Sequence, residues 1–119
     1  MPLVEVTYAA HVSEAQLLRL LDAVPHAVSL AVECPEEPHD GDLKPGDVEV
    51  RTRPLGPYDA SGLDVVVEVR SKFFESRVRD RQQRCDGLLD RLAEASGLSV
   101  GVYLTLPVAA WAQSGVSGR

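Results

Sequence analysis

From Leu3 to Tyr8 the side chains alternate, with Val4, Val6 and Tyr8 on one side and Leu3, Glu5 and Thr7 on the other, the period of a β-strand. Ser13-Glu14-Ala15-Gln16 then has the spacing of a capping box, in which two residues three apart satisfy each other's free amides. Leu17, Leu18, Leu20, Leu21 and Val24 supply a helical apolar stripe, and Pro25, which has no N–H to donate, predicts its end. Ala27 to Glu33 is short, apolar and flanked by prolines. It reads as a second strand, parallel to the first through a right-handed crossover.

Residues 35–46 are rich in proline, glycine and acids and read as an exposed loop. Val48, Val50 and Thr52 alternate with Glu49, Arg51 and Arg53, which predicts a third strand, and a proline and glycine loop covers 54–62. Leu63 to Arg70 is a fourth strand. Phe74, Val78, Cys85, Leu88, Leu89, Leu92 and Ala95 mostly recur at helical spacing, and Gly97 follows as a C-terminal cap, so one long helix is expected over 74–95. Val100, Val102, Leu104 and Leu106 form a last strand of period two, and 108–119 reads as a short helical turn and a loose tail.

Residues 3–33 and 64–106 share the order strand, helix, strand. The expected architecture is therefore α/β in the two-layer (α+β) sense, a single domain over 1–119. Two βαβ units form a four-stranded mixed sheet with two helices on one face, and 48–53 is a further strand between the units in sequence. Valines at 4, 6, 65, 67, 100 and 102 suggest that little polar surface is left on the uncovered face, which predicts a symmetric oligomer.

Composition narrows the function classes. The chain has 119 residues, 45% apolar and 25% charged, ordinary for one globular domain. A formal charge of −6 gives no general attraction to nucleic acid. The first residues lack a basic start and a long apolar run, and no stretch approaches the roughly 18 apolar residues of a membrane span, so a cytoplasmic location without membrane partners is expected. Cys34 and Cys85 show no paired metal-ligand spacing and read as free thiols. His39, Asp40 and Asp42 read as a solvated acidic loop rather than a metal site.

Pro2 has two readings. It starts a strand where a missing N–H costs nothing, or, once the initiator methionine is removed, it is a free secondary amine at the head of a buried strand. Burial and nearby cations would bring such an amine toward neutrality, where it can act as a general base.

Met1-Pro2 directly before an alternating strand, two βαβ units and a length near 120 resemble the tautomerase superfamily. The resemblance implies a tautomerase-like fold, a homotrimer with its sheets inside and helices outside, no cofactor, and the amino-terminal proline as catalytic base or acid. Within the superfamily the local pattern is most similar to the dehalogenase group: a His opening the second strand, an Arg ending the fourth, an Arg opening the second helix and a Val-Tyr pair in the last strand. These fall on His26, Arg70, Arg77 and Val102-Tyr103. The turn Ser71–Glu75 is longer than in that group, so Lys72 can stand in for Arg77. The group's water-activating acid falls near Gln113, and a glutamine cannot accept that proton.

Each of these positions also has a structural reading. Arg70 shares a strand face with Glu68 and can pair with it, Tyr103 can be a packed aromatic, and His26 can be a helix-end residue. Trp111, the sole tryptophan, is either a wall of the pocket or an interface anchor. The arginines between 77 and 91 are interleaved with Asp80, Asp86 and Asp90 and read mostly as a solvated face. The function expected from the resemblance is keto–enol interconversion of a small 2-oxo carboxylate. Pro2 moves the proton, Tyr103 and His26 polarise the carbonyl, and Arg70 with Arg77 or Lys72 holds the carboxylate. The alternatives are a hydratase like cis-3-chloroacrylic acid dehalogenase, an enzyme like malonate semialdehyde decarboxylase, or a non-catalytic trimeric binding protein.

Overall fold

The computed structural model describes residues 1–115. Its four strands are β1 (Leu3–Tyr8), β2 (Glu49–Pro54), β3 (Val65–Arg70) and β4 (Val100–Thr105), in the spatial order β2-β1-β3-β4. β1 runs parallel to β2 and antiparallel to β3, and β3 runs parallel to β4. The three helices are α1 (Glu14–Val32), α2 (Glu75–Val78) and α3 (Arg81–Ser96), with a 3₁₀ turn at Pro38–Asp42. The mixed four-stranded sheet built from two βαβ units is as expected. The first unit, however, closes on β2 rather than on residues 27–33.

Residues 27–33 are not a strand, because α1 continues through Pro25 to Val32. Leu20, Val24, Ala27, Val28, Ala31 and Val32 are all buried, and their spacing is that of one helical face. An interior proline costs a helix about 3 kcal/mol. Full burial of a valine contributes about 1.5–3 kcal/mol, so Val28 and Val32 together offset that cost. A short apolar run has no periodicity that separates strand from buried helix, and the spacing across Pro25 was the deciding signal. The N-terminal end is as the capping box requires: Gln16 N donates to Ser13 Oγ at 3.2 Å and Ser13 N to Gln16 Oε1 at 3.3 Å. As one 19-residue element, α1 is long and apolar enough by length and composition to cross a membrane, contrary to the expectation from its two halves taken separately. Its buried face packs into the core beside α3.

The single helix expected over 74–95 is broken at Asp80, whose φ of −121° and ψ of 32° are not helical. Arg84 Nε donates to the Asp80 carboxylate at 2.6 Å across this break. Gly97 caps α3 at φ 70°, the left-handed conformation that a residue without Cβ adopts freely. No helical turn follows β4: residues 106–115 are irregular, and the end of the expected tail, 116–119, lies outside the described residues.

Both long helices cover the sheet face that carries Val4, Val6, Val65, Val67 and Val69. The opposite face is polar, contrary to the expectation from the valine pattern. By strand register, Glu5 sits between Arg51 and Glu68, Glu68 lies beside Tyr103, and Arg70 lies between Leu3 and Thr105. The valines at 4, 6, 65, 67, 100 and 102 share one parity of the pleat, so they use up the covered face and leave the charges to the other.

One buried polar cluster joins the loops to this frame. The Arg77 side chain has no exposed surface. Its Nε donates to Val32 O at 2.6 Å, Nη1 to Lys72 O at 2.8 Å and Nη2 to Asp40 Oδ2 at 2.6 Å. The end of α1, the 35–46 loop and the turn after β3 are thereby tied to one guanidinium. Removing one partner of a buried ion pair leaves the other charge uncompensated, so Arg77→Leu is expected to lower stability by about 3–5 kcal/mol, read as a shift in the urea midpoint. In the Arg77→Leu/Asp40→Leu double variant part of that loss is expected to return.

Candidate active site

The register of the sheet brings the head of β1 to the tail of β3, since Leu3 pairs with Arg70 and Arg70 in turn with Thr105. Pro2, one residue before β1, is buried, and its carbonyl accepts a hydrogen bond from Glu49 N at 3.0 Å. Beyond the strands the chain stays in contact: Ser71 N donates to Thr105 O at 3.1 Å and Phe73 N to Pro107 O at 2.9 Å. Between these segments lies a cavity of about 240 Å³, lined by Met1, Glu37, Asp40, Arg70, Lys72 and Trp111 together with Ser71 and residues of the 107–110 stretch.

The two cations of this lining differ in what already holds them. Arg70 is clasped by Glu68, with Nε to Oε2 at 3.0 Å and Nη2 to Oε1 at 3.1 Å, and its Nη1 is 3.6 Å from Glu5. Hydrogen bonding to Glu68 and that residue's charge push the guanidinium above its ordinary pKa, and Glu5 adds to the effect. Both pairs are partly exposed and solvent-screened, so they orient Arg70 more than they stabilise the fold. Lys72 has no carboxylate within 4 Å among the described residues. Its Nζ lies 5.7 Å from the centre of the Phe74 ring, the range of a cation–π contact. Arg77, whose Cζ is 5.1 Å from the centre of the same ring, is not in the lining and is engaged by Asp40 and two carbonyls. Of the two candidates for a second carboxylate-binding cation, Lys72 therefore lines the cavity, and Arg77 does not, its donors being taken within the chain.

The other expected site residues are placed differently. Trp111 walls the cavity and is 55% exposed, which leaves one side available for a further contact. Tyr103 is on the polar sheet face, 68% exposed, one register step from the Arg70 row and outside the cavity. His26 does not open a strand. It is exposed on α1, above a shallow depression shared with Arg91 and Glu94, away from the cavity. Gln113 is exposed in the irregular tail.

Glu37 and Asp40, which the sequence places in a solvated acidic loop, line the cavity instead. Asp40 is buried against Arg77, and Glu37 Oε1 is 3.9 Å from Arg77 Nη1. Acids in a proline-rich stretch were visible in the sequence, but their buried partner is some forty positions away. His39, Asp40 and Asp42 do not converge. His39 approaches Asp47 at 3.7 Å, Asp42 accepts from Lys44 at 2.9 Å, and Asp40 holds Arg77. Cys34 and Cys85 are free, and burial pushes the Cys85 thiol up from its ordinary pKa, away from the reactive thiolate.

What the arrangement can do is bind a small anion near the amino end of the chain. Two cations, one of them without a protein counter-ion, face an apolar aromatic wall across a space large enough for a small organic acid.

No protein-family model and no curated protein matches the sequence. Solved structures do match over nearly the whole chain. A wild-type fused 4-OT, a symmetric trimer, superposes with a TM-score of 0.64 at 16% identity, covering 98% of this chain and 99% of its own. A malonate semialdehyde decarboxylase gives 0.58 at 23% identity over 98% and 92%. A macrophage migration inhibitory factor-like protein from Entamoeba histolytica gives 0.53 at 10% identity over 90% and 89%. At these identities the likeness is one of backbone architecture, and it agrees with the strand order and helix placement derived above: the chain has the fold of the tautomerase superfamily.

Proposed function

We propose that the protein is a cofactor-independent tautomerase that interconverts keto and enol forms of a small 2-oxo carboxylate, with Pro2 as the proton carrier once Met1 is removed. The observation that carries this reading is the position of Met1 in the lining of a cavity that also holds Arg70, Lys72 and Trp111. Loss of residue 1 would leave the secondary amine of Pro2 at that wall. A proton on this amine would face the same cavity as Lys72 and Arg70 in a partly desolvated space, which favours the neutral form. The neutral amine takes a proton from the carbon next to the carbonyl, and the electron pair moves to the carbonyl oxygen as an enolate. The ammonium then returns the proton to a different atom, and no redox change occurs. Lys72 pairs with the substrate carboxylate, and Arg70, itself held by Glu68 and Glu5, adds only its positive potential toward the enolate charge.

The assembly proposed for this function is a homotrimer. It is supported by the trimeric state of the similar fused 4-OT, and the exposed Tyr103 of the uncovered sheet face is a group that such an assembly could cover. In such an assembly Tyr103 can reach the site of a neighbouring subunit and polarise the carbonyl. A second reading, hydration or decarboxylation on the same frame, is favoured by Glu37, a cavity carboxylate able to do the work for which Gln113 is unsuited.

Ketonisation of phenylenolpyruvate tests the assignment of Pro2. The processed protein is expected to turn over, Pro2→Ala to be slower by about 10²-fold or more, and protein retaining Met1 to be inactive. Equal rates in the three preparations would remove Pro2 from the mechanism, and no rate in any would favour a binding protein. Sedimentation equilibrium is expected to give about three times the chain mass of 12.9 kDa. A stable monomer at micromolar concentration would sink the trimer.

A further inference from the structure

Resting on the reading of this cavity as the active site, we infer that it is selective for a single carboxylate carried on a small apolar body, and that Glu37 is the residue that discriminates against a second one. Arg70, Lys72 and Arg77 are the cations in or behind the lining, and Glu5, Glu37, Asp40 and Glu68 are the carboxylates that touch them or face the same space. Among the side chains, three cations are therefore set against four carboxylates. Arg70 is taken by Glu68 and Glu5, Arg77 by Asp40 and Glu37, and Lys72 is the one side chain of the lining that offers an unshared charge, the amine of a processed Pro2 being neutral in the proposed mechanism. One substrate carboxylate has a partner, and a second does not.

The rest of the lining sharpens the selection. Pro107, Ala109, Ala110 and Trp111 form a wall without a charged side chain, suited to a ring or a short hydrocarbon and unable to solvate an anion. A dicarboxylate anchored at Lys72 and held within the cavity places its far charge on that wall or turns it toward Glu37. The first leaves a desolvated ion without a partner, and the second brings like charges together. Glu37 Oε1 lies 3.9 Å from Arg77 Nη1, an attraction that favours its place beside the cavity.

Trp111 is the sole tryptophan and lines the cavity, so its fluorescence reports occupancy without any turnover. Non-reacting ligands suffice: 3-phenylpropionate for one carboxylate on an apolar body, adipate for two, and 3-phenylpropanol as the neutral control. On the full chain, 3-phenylpropionate is expected to bind at least about tenfold more tightly than either of the others. Glu37→Gln is expected to strengthen adipate binding and narrow the gap, while Lys72→Ala removes the preference for 3-phenylpropionate over the alcohol. Adipate binding as tightly as 3-phenylpropionate, or no quenching by either at millimolar concentration, overturns the inference. A gap that Glu37→Gln leaves unchanged overturns the role of Glu37. The binding preference with no ketonisation would defeat the tautomerase reading and leave this one standing, whereas ketonisation with an adipate preference would do the reverse.

Discussion

The structure depends first on the pleat of β1, which like β3 is hydrogen-bonded on both edges. Because side chains alternate, Val4 and Val6 must face the helices if Leu3, Glu5 and Thr7 face away, and pairing transmits that choice to β2 and β3. A slip of one residue would bury Glu5 and expose Val4 and Val6. The same register sets Arg70 against Leu3, and so beside the amino end of the chain. The position of the cavity is in this sense a by-product of core burial.

The walls of the cavity depend on a second constraint, the burial of Arg77. A guanidinium without exposed surface needs its donors satisfied, and here the acceptors come from α1, from the 35–46 loop and from the turn after β3. The proline-rich loop, which has little apolar content of its own, is held against the frame by Asp40, by the donation from Leu43 N to Ser29 Oγ at 2.8 Å and by burial of Leu43. Glu37 enters the lining because Asp40, three residues on, is anchored.

Charge pairing then separates residues that composition makes equivalent. Arg70, Lys72 and Arg77 are all basic and lie within eight positions of one another. Arg70 points along the open sheet face into two acids, Arg77 turns inward to Asp40, and Lys72 keeps an unshared charge at the cavity. Their chemical roles follow from what stands opposite each of them.

The sequence by itself determined the elements whose signals are local. The alternation of Leu3–Tyr8, the Ser13–Gln16 capping box, the Gly97 cap and the period-two run after Val100 each rest on residues within a few positions of one another, and together they were enough for two βαβ units and a mixed sheet. Arg70, Lys72 and Trp111 could be marked as cavity candidates through the resemblance. What only the tertiary structure decided involves partners far apart in the chain. The helix passes Pro25 because Val28 and Val32 find a core to fill, a gain invisible in a seven-residue apolar run flanked by prolines. Arg77 is buried because Asp40 meets it, Glu5 on the neighbouring strand adds to the Arg70–Glu68 pair that the strand period already allowed, and His26 stands apart because its helix turns it outward. Periodicity reports which face a residue takes, but a charge's role depends on its counter-ion, and counter-ions are chosen by the packing of segments that sequence spacing does not bring together.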